Sequence, residues 1–348
     1  MSRDEPRVSV VIPTRNRAGY LPDALRSALG QKGVAVEVIV VDDGSDDETP
    51  AVLAAVSDAR VRVVRNKRPA GQAAARNAGI RLARHEWTAL LDDDDLWAPE
   101  KLRLQLRAAE DRGASWAYCA ALMLEPDGHI GYRSPAPDPE AVLTQLLRRN
   151  VIGAGSSSVV ASTELLISLG GFDELLPRLD DWDLWIRLAE YGRAAAVEMA
   201  LVAYRKHTTN LSAGGRRDVM LAFRRIEEKH AGLAARLGVP LERGWVDRWL
   251  KVERLRARRS RADEHARSGR RFRAAALHLG TAFAHRRRAD LRQALAVAAG
   301  EGGREIVRRL RHRRPVSRSK PHEPPEWLLP YLGSTPNGRS RQFVGGRP

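Results

Sequence analysis

The sequence predicts an α/β domain, with a mostly parallel sheet and helices on both faces, followed by a basic α-helical region. Strand and helix patterns alternate through the first half of the chain, which is typical of such a sheet. Strand patterns disappear after about residue 216. The positive charge lies beyond that point, because residues 240–348 hold 27 basic and 10 acidic side chains, against 32 and 33 in residues 1–239.

Composition excludes several classes of protein. Hydrophobic residues make up 43% of the 348 residues, which is enough for a packed core and argues against global disorder. Cys119 is the single cysteine, so an intramolecular disulfide and a cysteine-based zinc site are excluded. We find no signal-peptide pattern and no run of about 18 apolar residues, so we expect a cytoplasmic chain without a transmembrane helix.

The strands are predicted from four apolar runs, at residues 8–12, 38–41, 61–64 and 88–91. Apolar residues at helical spacing predict helices between them, over residues 21–29, 52–56 and 70–83. A further helix is expected after Pro99, since proline suits a first helical turn. Strands that alternate with helices of this length predict crossover connections between parallel strands.

Polar segments follow three of these strands. They are Pro13-Thr14-Arg15-Asn16, Asp42-Asp43-Gly44-Ser45 and Asp92-Asp93-Asp94-Asp95. In open α/β sheets, ligands bind beyond the carboxyl ends of the strands. We therefore expect the functional site where these three segments meet.

Later segments are less regular. Residues 126–139 contain four prolines and are expected to form a loop, and residues 140–215 mix short helices and strands. Residues 262–287, with Gly269 between two helical patterns, favour a helical hairpin. Apolar helical faces are expected at Trp245, Trp249, Val252 and Leu255, and at Phe272, Ala275, Ala276, Leu279 and Phe283. The predicted domains are 1–215, a basic helical region over 216–314 and a disordered tail over 315–348.

The four successive aspartates at 92–95 carry the strongest chemical signal. Carboxylates this close raise each other's pKa unless a cation neutralises them. A hard divalent cation prefers oxygen ligands and would also bind phosphates. The alternative is a solvated acidic turn that caps the helix after Pro99, although the buried strand before the cluster and Trp97 after it disfavour that interpretation.

Two other residues allow a functional and a structural interpretation. Asp43 follows a buried strand and could accept a hydrogen bond from a base N–H, or it could cap the helix near Thr49. Arg76 lies in the small-residue segment 71–79 and could face a pyrophosphate, or it could be an ordinary surface arginine.

A second acidic segment contains Asp180 and Asp181, at the start of a predicted helix. An ionised carboxylate in a cleft could take a proton from a hydroxyl group. The same residues could instead cap the helix, whose dipole favours carboxylates at that end. His207 could ligate a metal or a phosphate, but a lone histidine is more often a surface or hydrogen-bonded residue.

Together these segments resemble the family 2 glycosyltransferases, the inverting group with the GT-A fold. The resemblance runs in order over about residues 7–215. It rests on VSVVIPTRNRAGYLPDALRSAL, VIVVDDGSDDET, GQAAARNAGI, WTALLDDDDLW, GGFDE and DDWDLWIRLAEYG. The later YRKHTTNLS looks like the family's closing segment. Each segment is weak alone, but their order and spacing are specific.

The resemblance implies which residues bind the nucleotide. Pro13, Thr14 and Asn16 would line the nucleotide pocket. Asp43 would hydrogen-bond the base, and Arg76 would lie near the nucleotide.

The resemblance also implies a metal site for Mn²⁺ or Mg²⁺. Asp92 and Asp94 match the family's Asp-x-Asp motif, with Asp94 as the direct metal ligand. The motif could also be placed one position later, through Asp93 and Asp95, although the family's LDxDDxW pattern favours the first register. His207, which could ligate a metal or a phosphate, is a further candidate metal ligand from the sequence alone.

Asp181 matches the acceptor-activating base of the family. Many relatives have Glu-Asp where this chain has Asp180-Asp181, so the shorter Asp180 places its carboxylate differently and both residues stay candidates. The implied reaction moves a sugar from a nucleotide-diphosphate sugar, most commonly a UDP-sugar, to a hydroxyl of a glycan or lipid-linked acceptor, with inversion. Such members act in bacterial cell-surface polysaccharide or glycolipid synthesis. The alternative is a catalytically silent nucleotide-binding scaffold that uses its basic third for assembly.

Three interpretations compete for the basic residues 240–314. They could hold the chain peripherally on the anionic inner face of the cell membrane, where each Lys or Arg contributes roughly 1 kcal/mol. They could form a solvated helical domain or a partner surface. Nucleic-acid binding is the least favoured interpretation, because basicity alone is a weak signal and no DNA-binding motif is present.

Overall fold

The computed structural model describes residues 5–126, 128–207, 216–239, 241–285, 297 and 323–332. The chain divides into two compact units. The first comprises residues 1–205, 221–241 and 322–348, and the second comprises residues 206–220 and 242–321. The domain limits at residues 215 and 314 stay predictions.

The sheet of the first unit begins with four parallel strands, in the order β3-β2-β1-β4. They are β1 (Arg7–Thr14), β2 (Ala35–Asp42), β3 (Val61–Arg65) and β4 (Trp87–Leu90). Every residue of β1 and β2 beyond the first is buried, as strands covered by helices on both faces require. The four strands predicted from apolar runs are therefore confirmed.

Helices α1 (Leu21–Leu29), α2 (Thr49–Ala54) and α3 (Gln72–Leu82) connect these four strands, and α4 (Lys101–Arg112) follows them in the chain. Helix α1 begins with Pro22 in its first turn and buries an apolar face. Helix α3 packs closely on β1 because Gly79 lacks a side chain: a Cβ at this position would lie 2.3 Å from Val11 Cγ1. That contact sets the position of the arginine that α3 carries one turn earlier.

The second half of the sheet is mixed. It continues from β4 in the order β8-β6-β9-β5, with β7 paired to β6, and only β6 and β9 are parallel neighbours there. The strands are β5 (Leu96–Trp97), β6 (Trp116–Leu124), β7 (Ile130–Ser134), β8 (Val159–Ser162) and β9 (Ala194–Arg205). Helices α5 (Val142–Arg148), α6 (Thr163–Ser168) and α7 (Asp180–Tyr191) belong to the same half.

The loop predicted over residues 126–139 is wrong for Ile130–Ser134. These residues form β7, which pairs antiparallel with the buried strand β6. Only Ile130 of β7 is buried, and its other residues are exposed or half-buried, as is usual for an edge strand. Pairing with β6, which the local sequence does not reveal, overrides the loop signal.

Long helices follow, and they are α8 (Arg216–Leu237), α9 (Arg243–Arg267) and α10 (Arg271–His285). Helices α9 and α10 meet at Gly269, whose φ of 78° allows the turn, so the predicted hairpin is confirmed up to residue 285. The predicted apolar faces are partly wrong. Val252 and Phe272 are 42% and 83% exposed, whereas Val246 and Leu250 are buried.

The C-terminal segment, residues 323–332, lies within the tail that the sequence predicted to be disordered. It forms a 3₁₀ turn at Glu326–Leu328 and a helical turn at Leu329–Leu332. Leu328 is fully buried in a cluster with Leu96, Leu122, Leu124, Ile130 and Ala203, and Trp327 and Tyr331 pack beside it. The prediction of disorder is wrong for this segment because Leu328 is buried against the sheet, with Trp327 and Tyr331 packed beside it. The rest of 315–348 lies outside the described residues.

Within the described ranges, no helix combines the length and the apolar character that crossing a membrane requires.

Candidate active site

The ends of three parallel strands bring the three polar segments to one edge of the sheet. Thr14, the last residue of β1, is in register with Asp42 of β2. On the other side of β1, Val11 is in register with Leu90 of β4, directly before the aspartates. Parallel neighbours end at the same edge, so residues 13–17, 42–46 and 92–95 surround one location.

The turn of aspartates is held by Ser157, which precedes β8. Its hydroxyl donates to Asp95 Oδ2 over 2.5 Å and accepts from the amide of Asp92 over 3.0 Å. Asp95 is fully buried and also accepts a hydrogen bond from the amide of Arg205. The burial of Asp95 favours the motif register through Asp92 and Asp94 over the one through Asp93 and Asp95.

Asp93 and Asp94, the other two aspartates of the turn's centre, lie near Arg17, which belongs to the loop after β1. The Arg17 guanidinium lies 3.7 Å from Asp93 and 3.9 Å from Asp94. Burial and the Asp94 charge raise the pKa of Asp93 and of Asp95 well above the usual carboxyl range. The crowded carboxylates therefore supply oxygen donors whose ionisation an added cation would favour.

Arg76 joins the two acidic segments. Its guanidinium lies 2.7 Å from Asp92 and 2.9 Å from Asp180, above the ring of Phe172, and the side chain is only 3% exposed. Burial lowers the pKa of Arg76, but the carboxylates of Asp92 and Asp180 outweigh burial and raise it above its ordinary value. The interpretation of Arg76 as a surface residue is wrong, and its place near the nucleotide stays a prediction.

The second acidic segment begins helix α7 beside this arginine. The preceding residue Leu179 occupies the cap position with a φ of 60°, so neither aspartate caps the helix. Asp181 accepts a hydrogen bond from the amide of Trp182, and its Oδ2 would lie 3.2 Å from a Cβ on Gly155. Burial and the neighbouring Asp180 raise the pKa of Asp181 to about 6.

Asp43 is buried and fastens the loop that leads into α3. Its carboxylate accepts hydrogen bonds from the Asn66 side chain and from the amides of Ala70 and Gly71, each over 2.8 Å. Helix α2 begins after Glu48 without a side-chain cap, so the capping role considered for Asp43 is wrong. Base recognition by Asp43 stays a prediction.

Of the other predicted pocket residues, Pro13 and Thr14 are buried at the end of β1. Asn16 has a φ of 55° and pairs with Asp46 through two hydrogen bonds, from Asn16 Nδ2 and from the Asp46 amide. Asn16 thus ties the first strand-end loop to the second. Their contact with a nucleotide stays a prediction.

Of the metal ligands predicted from sequence, Asp92 and Asp94 share one turn with Asp93 in the first compact unit. His207 follows β9 and belongs to the second unit, and its role as a metal ligand stays a prediction. In the described part of the chain, no group of three or more His, Cys, Asp or Glu side chains is arranged to hold a metal unaided. Carboxylates with substrate phosphates and water are nevertheless a common donor set for Mg²⁺, so the aspartates fit such an ion.

Sequence reasoning missed two residues that organise the site, Arg17 and Ser157. Arg17 stands next to Asn16, directly after the first of the three polar segments. The signal available in the sequence was a cation beside one of these segments and four aspartates in another. Ser157 belongs to the small-residue run GAGSSS at 153–158, whose polar hydroxyls before a strand could have drawn attention.

A second missed group anchors α7 to α8. Asp183 is fully buried, and Arg187, Lys229 and His230 surround it at 2.7, 3.0 and 2.9 Å. Burial would raise the pKa of Asp183, but the His230 hydrogen bond and the two cations lower it to about 2. This network holds the helix that carries Asp180 and Asp181.

Two family descriptions match the chain in sequence. "Glycosyl transferase family 2" matches residues 9–157, and "Glycosyltransferase like family 2" matches residues 141–248. These ranges contain both acidic segments and Arg76.

Two relatives illustrate the range of similarity. The succinoglycan biosynthesis protein ExoO of Rhizobium meliloti (strain 1021) is 40% identical over 151 residues, which are 42% of this chain and 43% of that protein. The Escherichia coli UDP-Glc:alpha-D-GlcNAc-diphosphoundecaprenol beta-1,3-glucosyltransferase WfaP is 27% identical over 209 residues, or 59% of this chain and 80% of that protein. The chain thus spans less than half of the ExoO length.

The fold is similar to that of S. aureus TarS 1–349. The TM-score is 0.52 at 19% identity, with 88% of this chain and 93% of that chain covered. Related crystal structures of TarS 1–349 are complexes with UDP and with UDP-GlcNAc. At this identity the likeness concerns the fold alone, and it is the GT-A-like α/β fold. The class is thus that of GT-A-fold proteins.

Within that class, the chain belongs to the family 2 glycosyltransferases.

Proposed function

We propose that the protein transfers a sugar from a UDP-sugar to an acceptor hydroxyl, with inversion at the anomeric carbon. One observation carries the proposal: Arg76 holds Asp92 and Asp180 together, although Asp180 is 88 residues away from Asp92 in the sequence. The leaving-group end and the acceptor-activating end of an in-line reaction would therefore be adjacent.

Asp181 is the proposed general base. It takes the proton from the acceptor hydroxyl as that oxygen bonds to the anomeric carbon and the bond from this carbon to the diphosphate breaks. A carboxyl with a pKa of about 6 is a better proton acceptor than an ordinary aspartate and is still ionised near neutral pH.

Asp92 and Asp94 are the proposed ligands of Mn²⁺ or Mg²⁺, with Asp93 beside them. When bound, such an ion stabilises the negative charge of the departing diphosphate as a Lewis acid. Arg76 keeps Asp92 in place through its ion pair, and the Ser157 hydroxyl orients the turn by accepting a hydrogen bond from the Asp92 amide. The family typically uses a divalent metal, which supports this assignment.

The relatives support the proposed donor and acceptor classes. The name of WfaP specifies a UDP-glucose donor and a diphosphoundecaprenol-linked acceptor. TarS crystallises with UDP and UDP-GlcNAc. We therefore propose a UDP-sugar donor, a lipid-linked or glycan acceptor, and a role in bacterial cell-surface polysaccharide synthesis. Residues 240–314 would hold the chain on the anionic inner face of the membrane, where such acceptors are anchored.

The first test is a donor screen followed by a substitution. Thermal-shift measurements with UDP-sugars and Mn²⁺ should identify a stabilising donor, and release of UDP should follow when an acceptor is added. Asp94→Ala should lower transfer at least about 100-fold while the melting temperature changes little, because the loss concerns the leaving group. Full transfer by Asp94→Ala would reject the metal assignment, and absence of nucleotide-sugar binding and of transfer would reject the proposed function.

A further inference from the structure

The C-terminal segment 323–332 packs against the strand that follows the aspartate turn. Leu328 is fully buried in one cluster with Leu96, which comes directly after Asp95, and with Ala203, which pairs with Leu96 in the sheet. The two family matches end at residue 248, so the segment lies outside both of them. Its contact with the site is therefore a feature of this chain that membership of the family does not supply.

Tyr331 makes a second contact of the segment, on helix α1. The centre of its ring lies 6.0 Å from the guanidinium carbon of Arg26. Arg26 pairs with Asp23 over 3.1 Å, and Asp23 pairs in turn with Arg205, also over 3.1 Å. Burial raises the pKa of Tyr331, and the charges of all three of these residues act on it as well. Tyr331 thus closes one end of a chain of charged groups, and Arg205 forms the other end.

Both contacts lead to Asp95. Leu96 continues the chain directly from Asp95, so the packing of Leu328 fixes the strand on that side of the turn. The Arg205 amide donates to Asp95 Oδ1 over 3.2 Å, while its side chain is held by the ion pair described above. The other carboxylate oxygen of Asp95, Oδ2, accepts from Ser157. Asp95 is therefore held through both oxygens and through the strand that follows it.

The turn needs such support because its charges oppose its shape. Four successive carboxylates repel one another, and this repulsion favours a more open arrangement until a cation is bound. Groups outside the ligand shell that hold the ligands in place raise the affinity for a metal ion, since binding then has to order fewer groups. The contacts that fix Asp95 are such groups for the rest of the turn.

We propose that Leu328 and Tyr331 are positioning residues of the metal site. They act through Asp95: Leu328 fixes the strand that follows it, and Tyr331 fixes the charged chain that ends at Arg205. With Asp95 held, the carboxylates of the turn stay close enough together to share one divalent cation. The proposal rests on the proposed function, because it concerns the ion assigned there to the aspartate turn.

The test measures Mn²⁺ affinity without nucleotide, by electron paramagnetic resonance on the full chain. Tyr331→Ala and Leu328→Ala should each weaken Mn²⁺ binding about five- to tenfold, near the lower end of what loss of an outer contact costs a metal site. Tyr331→Phe keeps the ring on Arg26 and should bind Mn²⁺ like the wild-type chain. Leu329→Ala is the matched control, because this adjacent side chain is 53% exposed, and it should leave the affinity unchanged.

Transfer rates at varied Mn²⁺ separate positioning from a general loss of structure. In Tyr331→Ala, the Mn²⁺ concentration for half-maximal rate should rise by the same factor as the dissociation constant. Its kcat at saturating Mn²⁺ should approach the wild-type value, since a bound ion itself draws the carboxylates together. If Leu328→Ala does not fold, Tyr331→Ala decides alone, because its side chain is only half-buried. Mn²⁺ affinity in Tyr331→Ala equal to that of Leu329→Ala would overturn the proposal.

Asp94→Ala distinguishes a failure of this proposal from a failure of the proposed function. If Asp94→Ala loses Mn²⁺ binding while Tyr331→Ala keeps it, the metal assignment stands and the positioning role is rejected. If Asp94→Ala binds Mn²⁺ as the wild-type chain does, the metal assignment fails, and the positioning role fails with it.

Discussion

Asp180 and Asp181 are neighbours in sequence but differ in what they contact. Asp180 is paired with Arg76 at 2.9 Å. Asp181 accepts a hydrogen bond from the Trp182 amide, and its pKa is raised to about 6 by burial and by Asp180. A carboxylate bound tightly to an arginine is a poor proton acceptor, so Asp181 is the better candidate for the base.

Substitution of each aspartate by asparagine should separate their roles. Asp181→Asn should lower kcat about 100- to 10,000-fold, which is the usual contribution of a general base. Asp180→Asn should lower it about tenfold, because Arg76 loses one of two anionic partners. Initial-rate measurements on both variants decide the assignment, and a larger loss in Asp180→Asn would reverse it.

The pH dependence of the wild-type rate should reflect the same group. Only ionised Asp181 accepts a proton, so kcat should fall as the pH drops through about 6, and a rate that stays constant down to pH 5 would contradict the assignment. Stability should change in the opposite sense. A folded pKa above the ordinary 3.8 means that the native state binds the proton more tightly, so stability decreases as the pH rises from about 4 to about 6.

Asp181→Asn removes this charge, so its melting temperature at pH 8 should equal or exceed that of the wild-type chain. Thermal unfolding at pH 5 and pH 8 measures the effect. A variant that is inactive and also less stable at pH 8 would show that Asp181 supports the fold.

At the scale of elements, the turn before β8 supports the aspartates through one serine. Ser157 bonds both Asp92 and Asp95, whereas Ser156 is equally buried and its hydroxyl has no hydrogen-bond partner among the described residues. These adjacent serines therefore form a matched pair for mutagenesis.

Ser157→Ala should destabilise the protein by about 2 kcal/mol, because buried Asp95 loses the hydrogen bond that the Ser157 hydroxyl donates and the Asp92 amide loses its acceptor. Ser156→Ala should be neutral or slightly stabilising. Urea unfolding of both variants measures the difference, and equal stabilities would indicate that the Ser157 hydroxyl contributes nothing to the turn.

The C-terminal segment 323–332 makes a second prediction at this scale. Leu328 is fully buried, whereas the adjacent Leu329 is 53% exposed. Leu328→Ala should cost about 2–5 kcal/mol of unfolding free energy, and Leu329→Ala less than about 0.5 kcal/mol. Similar melting temperatures for the two variants would mean that the segment does not pack on the sheet in solution.

At the scale of the whole molecule, charge is divided along the sequence. Residues 1–239 carry 32 basic and 33 acidic side chains, and residues 240–348 carry 27 and 10. The acidic clusters at 92–95 and 180–181 lie in residues 1–239, whose net charge is −1, whereas residues 240–348 carry a net charge of +17. The net positive charge therefore bears on what the enzyme binds to outside its active site, and not on the reaction itself.

Vesicle co-sedimentation tests the membrane proposal on the full chain. Replacing Lys251, Arg254, Arg261 and Arg273 by glutamine should weaken binding to vesicles rich in phosphatidylglycerol at least about tenfold, since each cation contributes roughly 1 kcal/mol. All four are exposed. The control replaces four exposed cations of the first unit, Lys32, Arg107, Arg148 and Arg149, and equal losses in both variants would contradict a role for the basic helices.

The sequence by itself determined the parallel half of the sheet and the edge where the site lies. Apolar runs such as residues 38–41 and helical spacing such as residues 21–29 are local patterns that the sequence shows directly. Once the strands are known to be parallel neighbours, their carboxyl ends must lie at the same edge of the sheet. The acidic segments were recognised for the same reason, because each is contiguous in the sequence.

Only the tertiary structure decided which charges pair. Arg76 meets Asp92 and Asp180 across 16 and 104 residues, and Ser157 reaches Asp95 across 62. It also decided that Leu328 returns to the sheet. No local pattern encodes such contacts. A charge enclosed in the interior needs a partner, and the packing of distant segments determines which partner is within reach.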